Sequence, residues 1–178
     1  PCGSDGSARI PGTVGELNEL VDSLVAGGAF GVPPEEARRV ETHISVVVLA
    51  GGYAYKFKKP VNLGFVDFST LDKRHRYCRE ELRLNRRTAP HLYLDVVAVR
   101  PSREGLGFAG PEPPVEFAVR MRRFPDADGL DVLLSNEAVS AREIDTFADH
   151  LVRFHRASDQ IDGRDHVGVV EGPALQNF

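Results

Sequence analysis

The feature that most constrains this chain is a hairpin written between positions 44 and 58. Ile44 to Ala50 is rich in β-branched residues, Gly51-Gly52 supplies a two-residue turn, and Tyr53 to Lys58 alternates aromatic with small or basic side chains. Successive side chains of a strand point to opposite faces. Tyr53, Tyr55 and Phe57 therefore share one face of the second strand, and Ala54, Lys56 and Lys58 share the other. Lysine is scarce elsewhere: there are four lysines against eighteen arginines, and three of the four are Lys56, Lys58 and Lys59. Arginine carries the ordinary surface charge, so a lysine on this strand is a candidate for a separate task. A compact ammonium on a rigid strand is suited to gripping phosphate oxygens. The alternative is an exposed edge strand that lysine protects from pairing. The strand alone leaves both open.

Helical patterns flank the hairpin. Thr13 and Glu16 form a capping box for a helix from about Gly15 to Ala26, with Leu17, Leu20, Val21, Leu24 and Val25 on one face and Gly27-Gly28 as its stop. Pro33-Pro34-Glu35-Glu36 suits the first turn of a second, short helix ending near Val40. After a loop from Pro60 to Phe68, Ser69 or Thr70 caps a helix with Asp72 in its first turn. It should reach about Arg87, since Pro90 excludes continuation. Two strands follow, Leu92 to Arg100 and Val115 to Arg123, joined by a Gly/Pro-rich loop; in the second, Val115, Phe117, Val119 and Met121 alternate with polar or small residues. A short helix over Leu130 to Leu134 precedes another capping box, Ser140 with Glu143. That box opens a helix with Ile144, Phe147, Leu151 and Phe154 on one stripe. Residues 1–12 are expected to form a disordered tail, and the sequence is loop-like from Ser158 onward. This order defines an α+β fold with an antiparallel sheet.

Composition narrows the function. A chain of 178 residues, 42% of them hydrophobic, can bury a core without disulfides or metal. Only Cys2 and Cys78 are present, which excludes a disulfide scaffold or a cysteine-based zinc site and makes a reducing, cytoplasmic compartment the default. The formal net charge of −4 argues against a dedicated nucleic-acid or anionic-membrane binder. No run approaches the ~20 apolar residues of a membrane span, and the start lacks the basic flank and apolar block of a signal peptide. The first residue is not methionine, and the chain is expected to be a fragment of a longer protein.

The helix after the hairpin is strongly basic: Lys73, Arg74, Arg76, Arg79, Arg83, Arg86 and Arg87 stand against Asp72, Glu80 and Glu81. Most of these are expected on a solvated face, in pairs such as Glu80 with Arg83 or Glu81 with Arg86. No aromatic platform interleaves with the arginines, which disfavours nucleic acid as the partner. A carboxylate of this helix can instead turn inward to hold a strand lysine, because a buried ammonium needs such a partner to keep its charge. The histidines offer no metal site: His150 and His155 are five apart rather than four, and His75 and His91 lack partners at ligand spacing.

A strand with a lysine, a helix carrying a glutamate, then two more strands is the order of a protein-kinase-type small lobe. Tyr53-Ala54-Tyr55-Lys56 resembles the V-A-I-K strand of kinases. More specifically, the stretch Glu41 to Val99, including "AYKFKKPVNLGFVDFSTLDKRHRYCREELRLNRRTAP", resembles the start of a bacterial family of aminoglycoside-phosphotransferase-like proteins. In that family a kinase-like domain is often followed by a P-loop ATPase domain. Leu151 to His155 (LVRFH) is similar to the large-lobe helix that precedes the catalytic loop.

The resemblance implies a kinase-like small lobe with its N-terminal helices over 13–124, and a hinge and truncated start of a helical large lobe over 125–178. It implies that the intact protein uses ATP and Mg²⁺ to phosphorylate a small-molecule hydroxyl that the sequence does not name. Lys56 would pair with the α/β-phosphates and Ala54 would lie over the adenine. Glu81 would hold Lys56, with Glu80 as the alternative, since adjacent helical carboxylates point about 100° apart and only one can face inward. Met121 would sit at the back of the pocket, although by itself it reads as plain core. Arg122, Arg123 and Phe124 would form the hinge, offering backbone N–H and C=O to the adenine edge.

Two departures qualify the resemblance. No G-x-G-x-x-G loop precedes the hairpin; Glu41-Thr42-His43-Ile44-Ser45 takes its place, so phosphate covering falls to Thr42, His43 or Ser45, or to nothing. No His-Gly-Asp or His-Arg-Asp catalytic motif with a following Asn is present, and Asp162-Gly163-Arg164-Asp165-His166 reads as a polar turn. The catalytic residues are thus expected beyond Phe178, as is any P-loop. The alternative function is a non-catalytic kinase-like module that regulates an attached ATPase domain.

Overall fold

Helix α1 (Val14–Ala26) begins where its cap chemistry dictates. The Thr13 hydroxyl accepts from the Glu16 N–H, and the Glu16 carboxylate accepts in return from the N–H groups of Gly12 and Thr13. Its apolar face buries Leu17, Leu20, Val21 and Leu24. The computed structural model describes residues 9–102 and 105–159, and the chain divides into two compact units, Pro1–Phe124 and Pro125–Phe178.

In the first unit, strands β1 (Arg38–Glu41), β2 (Ser45–Ala50), β3 (Tyr53–Lys58), β4 (Tyr93–Ser102), β5 (Gly105–Gly107) and β6 (Glu116–Arg122) form an antiparallel sheet in the order β1-β2-β3-β6-β4-β5. Gly51 turns the central hairpin at φ +55°, a conformation that a side chain would disfavour. Register then sorts the side chains. Val46 lies opposite Phe57 and Val48 opposite Tyr55, and these join Leu17, Leu20, Val21, Leu24, Phe30 and Val99 in one apolar cluster. On the reverse face Val47 and Val119 flank Lys56, Leu49 and Met121 flank Ala54, and Ser45 lies opposite Lys58. Helix α2 (Leu71–Asn85), capped by the Thr70 hydroxyl, packs on that reverse face, where the His75 ring stacks on Phe117 at 3.9 Å.

Several expectations are corrected. The second helix shrinks to a 3₁₀ turn, Pro34–Glu36, and Arg38–Glu41 is strand β1. A three-residue turn gains too few hydrogen bonds to propagate, whereas pairing with β2 satisfies the backbone. The loop after β4 contains a short strand, β5, hidden in sequence by its two glycines. Residues 1–8 lie outside the described residues, but the expected tail does not extend to Pro11, which is fully buried. Strand β3 lies between β2 and β6, so the edge-strand account of its lysines is excluded.

The largest correction concerns Arg74, expected on a solvated helix face. It is fully buried with Glu116, its Nε 2.9 Å from Oε2, while its two terminal nitrogens donate to the carbonyls of Phe68 and Pro11. Burial pushes the Glu116 carboxyl up, and Arg74 opposes that rise. The guanidinium thus joins the N-terminal segment, helix α2 and strand β6 at one point.

The second unit holds a 3₁₀ turn (Asp126–Asp128), helix α3 (Leu130–Ser135) and helix α4 (Ala141–Arg156). The Ser140–Glu143 capping box opens α4 as its sequence requires. The expected apolar stripe is uncovered at Ile144 and at Phe147, which is 54% exposed. Cys2 and Asp162 to His166 lie outside the described residues; Cys78 is a free, buried thiol that burial pushes up to about 12. Among the described residues, no helix is long and apolar enough to cross a membrane.

Removing one partner of a buried ion pair strands the other charge in a medium that solvates it poorly. Arg74→Met is expected to lower the unfolding free energy by about 3–5 kcal/mol, measured by urea denaturation. A loss below ~1 kcal/mol would show that the pair is not the junction described.

Candidate functional site

The lysine face of β3 meets helix α2 at a single carboxylate. Lys56 and Lys58 are two apart on an extended strand and so project to the same side. Glu81 lies three turns into α2, on the face turned toward the sheet. Lys56 Nζ donates to Glu81 Oε1 at 2.8 Å, and Lys58 Nζ donates to Glu81 Oε2 at 2.7 Å. Glu80 points away and takes both Nε and a terminal nitrogen of Arg83. Of the two carboxylates left open by sequence, Glu81 is therefore the inward one. The pairing of Glu81 with Arg86 does not form; Arg86 donates instead to the carbonyls of Tyr93 and Leu94.

Exposure differs along the cluster. The Lys58 side chain is 7% exposed and Glu81 13%, whereas Lys56 retains 29%. Burial alone would raise the Glu81 carboxyl, but the two ammonium groups outweigh it and hold the carboxyl below its usual range. Two ammoniums against one carboxylate leave one positive charge in excess, and it reaches solvent at Lys56. A compact cation with an unspent charge, mounted on a central strand, has the chemistry to hold an anion.

Around it, Ala54 is buried and Met121 is half-buried, facing each other across β3 and β6. With Leu49 they lie on the face of the sheet that carries Lys56. Arg122, Arg123 and Phe124 are exposed. Two of their three N–H groups are already engaged, Arg122 with the Leu92 carbonyl and Arg123 with the Gly52 carbonyl. Among the described residues, no backbone carbonyl accepts from the Phe124 N–H.

The turn that replaces a glycine-rich loop is tied down. Thr42 Oγ1 accepts from the Ser45 N–H, and Lys59 Nζ donates to both Glu41 Oε2 at 2.9 Å and the Thr42 carbonyl at 2.7 Å. Ser45 is buried, its hydroxyl without a partner among the described residues, and that burial removes it as a group that could cover a ligand. Thr42 and His43 remain exposed. The roles of Lys58 and Lys59 were missed by sequence reasoning. The signal for Lys58 was its position two residues after Lys56, and for Lys59 there was none.

The described residues contain no group of three or more His, Cys, Asp or Glu side chains placed to hold a metal ion. No protein-family model matches the chain, and no solved structure matches it. Three mycobacterial relatives are each 38% identical to it over 133 residues: the uncharacterized proteins Mb2027c of Mycobacterium bovis, and MT2060 and Rv2004c of Mycobacterium tuberculosis. Each alignment covers 73% of this chain and 25% of the relative, so the chain spans about a quarter of the length of the curated relatives it matches.

A carboxyl held below its ordinary value of 4.5 contributes stability that is present above the unfolded pKa and lost as pH falls through the folded one. Glu81→Gln is expected to cost about 2–3 kcal/mol at pH 7, less than a fully buried pair because Lys56 is partly solvated. Urea midpoints of the two proteins should then converge on acidification below the ordinary glutamate value. A constant gap across that range would show that Glu81 is not ionised between the lysines.

Proposed function

We propose that the first unit is the nucleotide-binding lobe of an ATP-dependent phosphotransferase of the aminoglycoside-phosphotransferase-like type. One observation carries the reading: Lys56, on the Tyr-Ala-Tyr-Lys stretch of central strand β3, is held 2.8 Å from a glutamate of the helix that follows. Kinases use that arrangement to aim a strand lysine at the α/β-phosphates. The excess positive charge at Lys56 and the apolar side chains of Leu49, Ala54 and Met121 fit the two halves of a nucleotide, phosphate and base. At the adenine edge Phe124, rather than Arg122 or Arg123, is the available N–H donor.

In the intact protein the reaction would be transfer of the γ-phosphoryl group to a hydroxyl of a small molecule. Such transfer depends mostly on positioning and charge neutralisation. The chain's own contribution would be to bind and orient the nucleotide. Magnesium would accompany the phosphates, and the described residues add no ligand cluster for it. The length of the relatives leaves room for the catalytic residues and for an attached P-loop ATPase domain.

A second reading is favoured by the tethered turn at Thr42 to Ser45. Lys59 holds the place where a phosphate-covering loop would move, and no glycine relaxes it. A kinase-like module that no longer handles phosphate, and regulates an adjoining ATPase domain, would look the same there. The Lys56–Glu81 pair would then be a structural bolt.

Titration calorimetry of MgATP into a chain extended past residue 178 separates the two. Binding in the micromolar-to-millimolar range is expected, weakened at least about tenfold by Lys56→Ala, as loss of a charge-assisted phosphate contact requires. Unchanged affinity in the variant removes the phosphotransferase reading, and no heat at millimolar nucleotide assigns the module.

A further inference from the structure

We infer that Lys58, rather than Lys56, fixes helix α2 to the sheet, as a positioning residue that keeps Glu81 neutralised when Lys56 turns to an anion. The anchoring half stands on geometry alone; the second half rests on the nucleotide reading of Lys56.

The two ammoniums share a carboxylate but not an environment. Lys58 is nearly inaccessible, packs over the Phe68 ring at 4.9 Å from its centroid, and lies opposite buried Ser45 in the β2–β3 register. Phe68 is itself buried and passes its carbonyl to Arg74. Lys58 therefore sits inside the packing that joins β3 to the start of α2, its ammonium turned to Glu81 and Phe68 rather than to solvent. Lys56 has the opposite character: more than a quarter of its side chain is open, and it takes the other oxygen of Glu81.

That division has a consequence for an anion arriving at Lys56. Were Lys56 the only counter-charge of Glu81, drawing it toward a ligand would strand a buried carboxylate, at a cost that opposes binding. Lys58 removes that conflict. It holds Oε2 at 2.7 Å throughout, so α2 stays docked and Lys56 is free to divide its three donors between Oε1 and the incoming oxygen.

Hydrogen exchange of the chain tests the anchor without any ligand. Amide protection across Cys78 to Asn85 should stay within about twofold of wild type in Lys56→Met and fall at least about tenfold in Lys58→Met, with Lys58→Arg restoring most of it. The anchor is overturned if Lys56→Met loosens α2 as much as Lys58→Met does. If Lys58→Met fails to fold, Lys58→Gln and Lys56→Met decide the same question.

The linkage to anion binding is tested by MgATP titration of the longer protein in a double-mutant cycle. Lys58→Met should weaken binding about tenfold in the wild-type background and by less than about twofold with Glu81→Gln, where no carboxylate competes for Lys56. An equal loss in both backgrounds means that Lys58 acts on the ligand directly and overturns the positioning role. Absence of MgATP binding in the wild type would refute the nucleotide reading and with it the second half of the proposal. The exchange measurement would still decide the first.

Discussion

The carboxylate of Glu81, held between two ammoniums, is the interaction on which the rest of the first unit depends. Helix α2 has a polar, basic sequence with few apolar residues to bury, and packing energy alone holds it weakly. What docks it is a pair of charged contacts: Glu81 near its C-terminal end and Arg74 near its N-terminal end. Between them lie the buried Cys78 and the His75 ring stacked on Phe117. A helix fixed at two points by ion pairs keeps its register, because displacing it by one residue would turn both charged groups away from their partners.

The sheet beneath divides its chemistry by parity. Along β3 the odd positions Tyr55 and Phe57 enter the apolar cluster under α1, and the even positions Lys56 and Lys58 meet α2. One strand thus carries the core on one side and the charged site on the other, and a slip of one residue would exchange the two. The Gly51 turn and the branched residues of β2 opposite make such a slip costly. The same constraint holds Lys56 rigid enough to present a charge in a defined direction.

How much of this was legible in the sequence follows from the range of each interaction. The caps Thr13–Glu16 and Ser140–Glu143 and the Gly51-Gly52 hairpin depend on neighbours a few residues away, and they formed where the pattern placed them. The Lys56–Glu81 contact spans 25 residues yet was readable, because strand parity and helix phase each reduce the candidates to one or two. Arg74 with Glu116 spans 42 residues and was not: an arginine on a basic helix and a glutamate in an alternating strand each have an ordinary solvated explanation. Strand β1 failed for a different reason. Arg38 to Glu41 has no apolar alternation, and it is a strand because β2 offers a free edge and Arg39 is held between Asp22 and Glu41.

The choice of lysine over arginine at the site is then more than a compositional accident. All four lysines are ion-paired: Lys56 and Lys58 with Glu81, Lys59 with Glu41, and Lys73 with Asp67. An arginine beside Glu81 can take both oxygens in a bidentate fork, as Arg120 does with Asp95. In that geometry it would saturate the carboxylate and exclude a second cation. An ammonium takes one oxygen and leaves the other, so two lysines can share one glutamate and carry an excess charge between them. Because its donors are arranged about a point rather than in a plane, the same ammonium can also rest on the Phe68 ring, as Lys58 does, or reach a backbone carbonyl, as Lys59 does at Thr42. At Glu41 an arginine and a lysine divide one carboxylate, Arg39 at Oε1 and Lys59 at Oε2, whereas at Glu81 both cations are lysines.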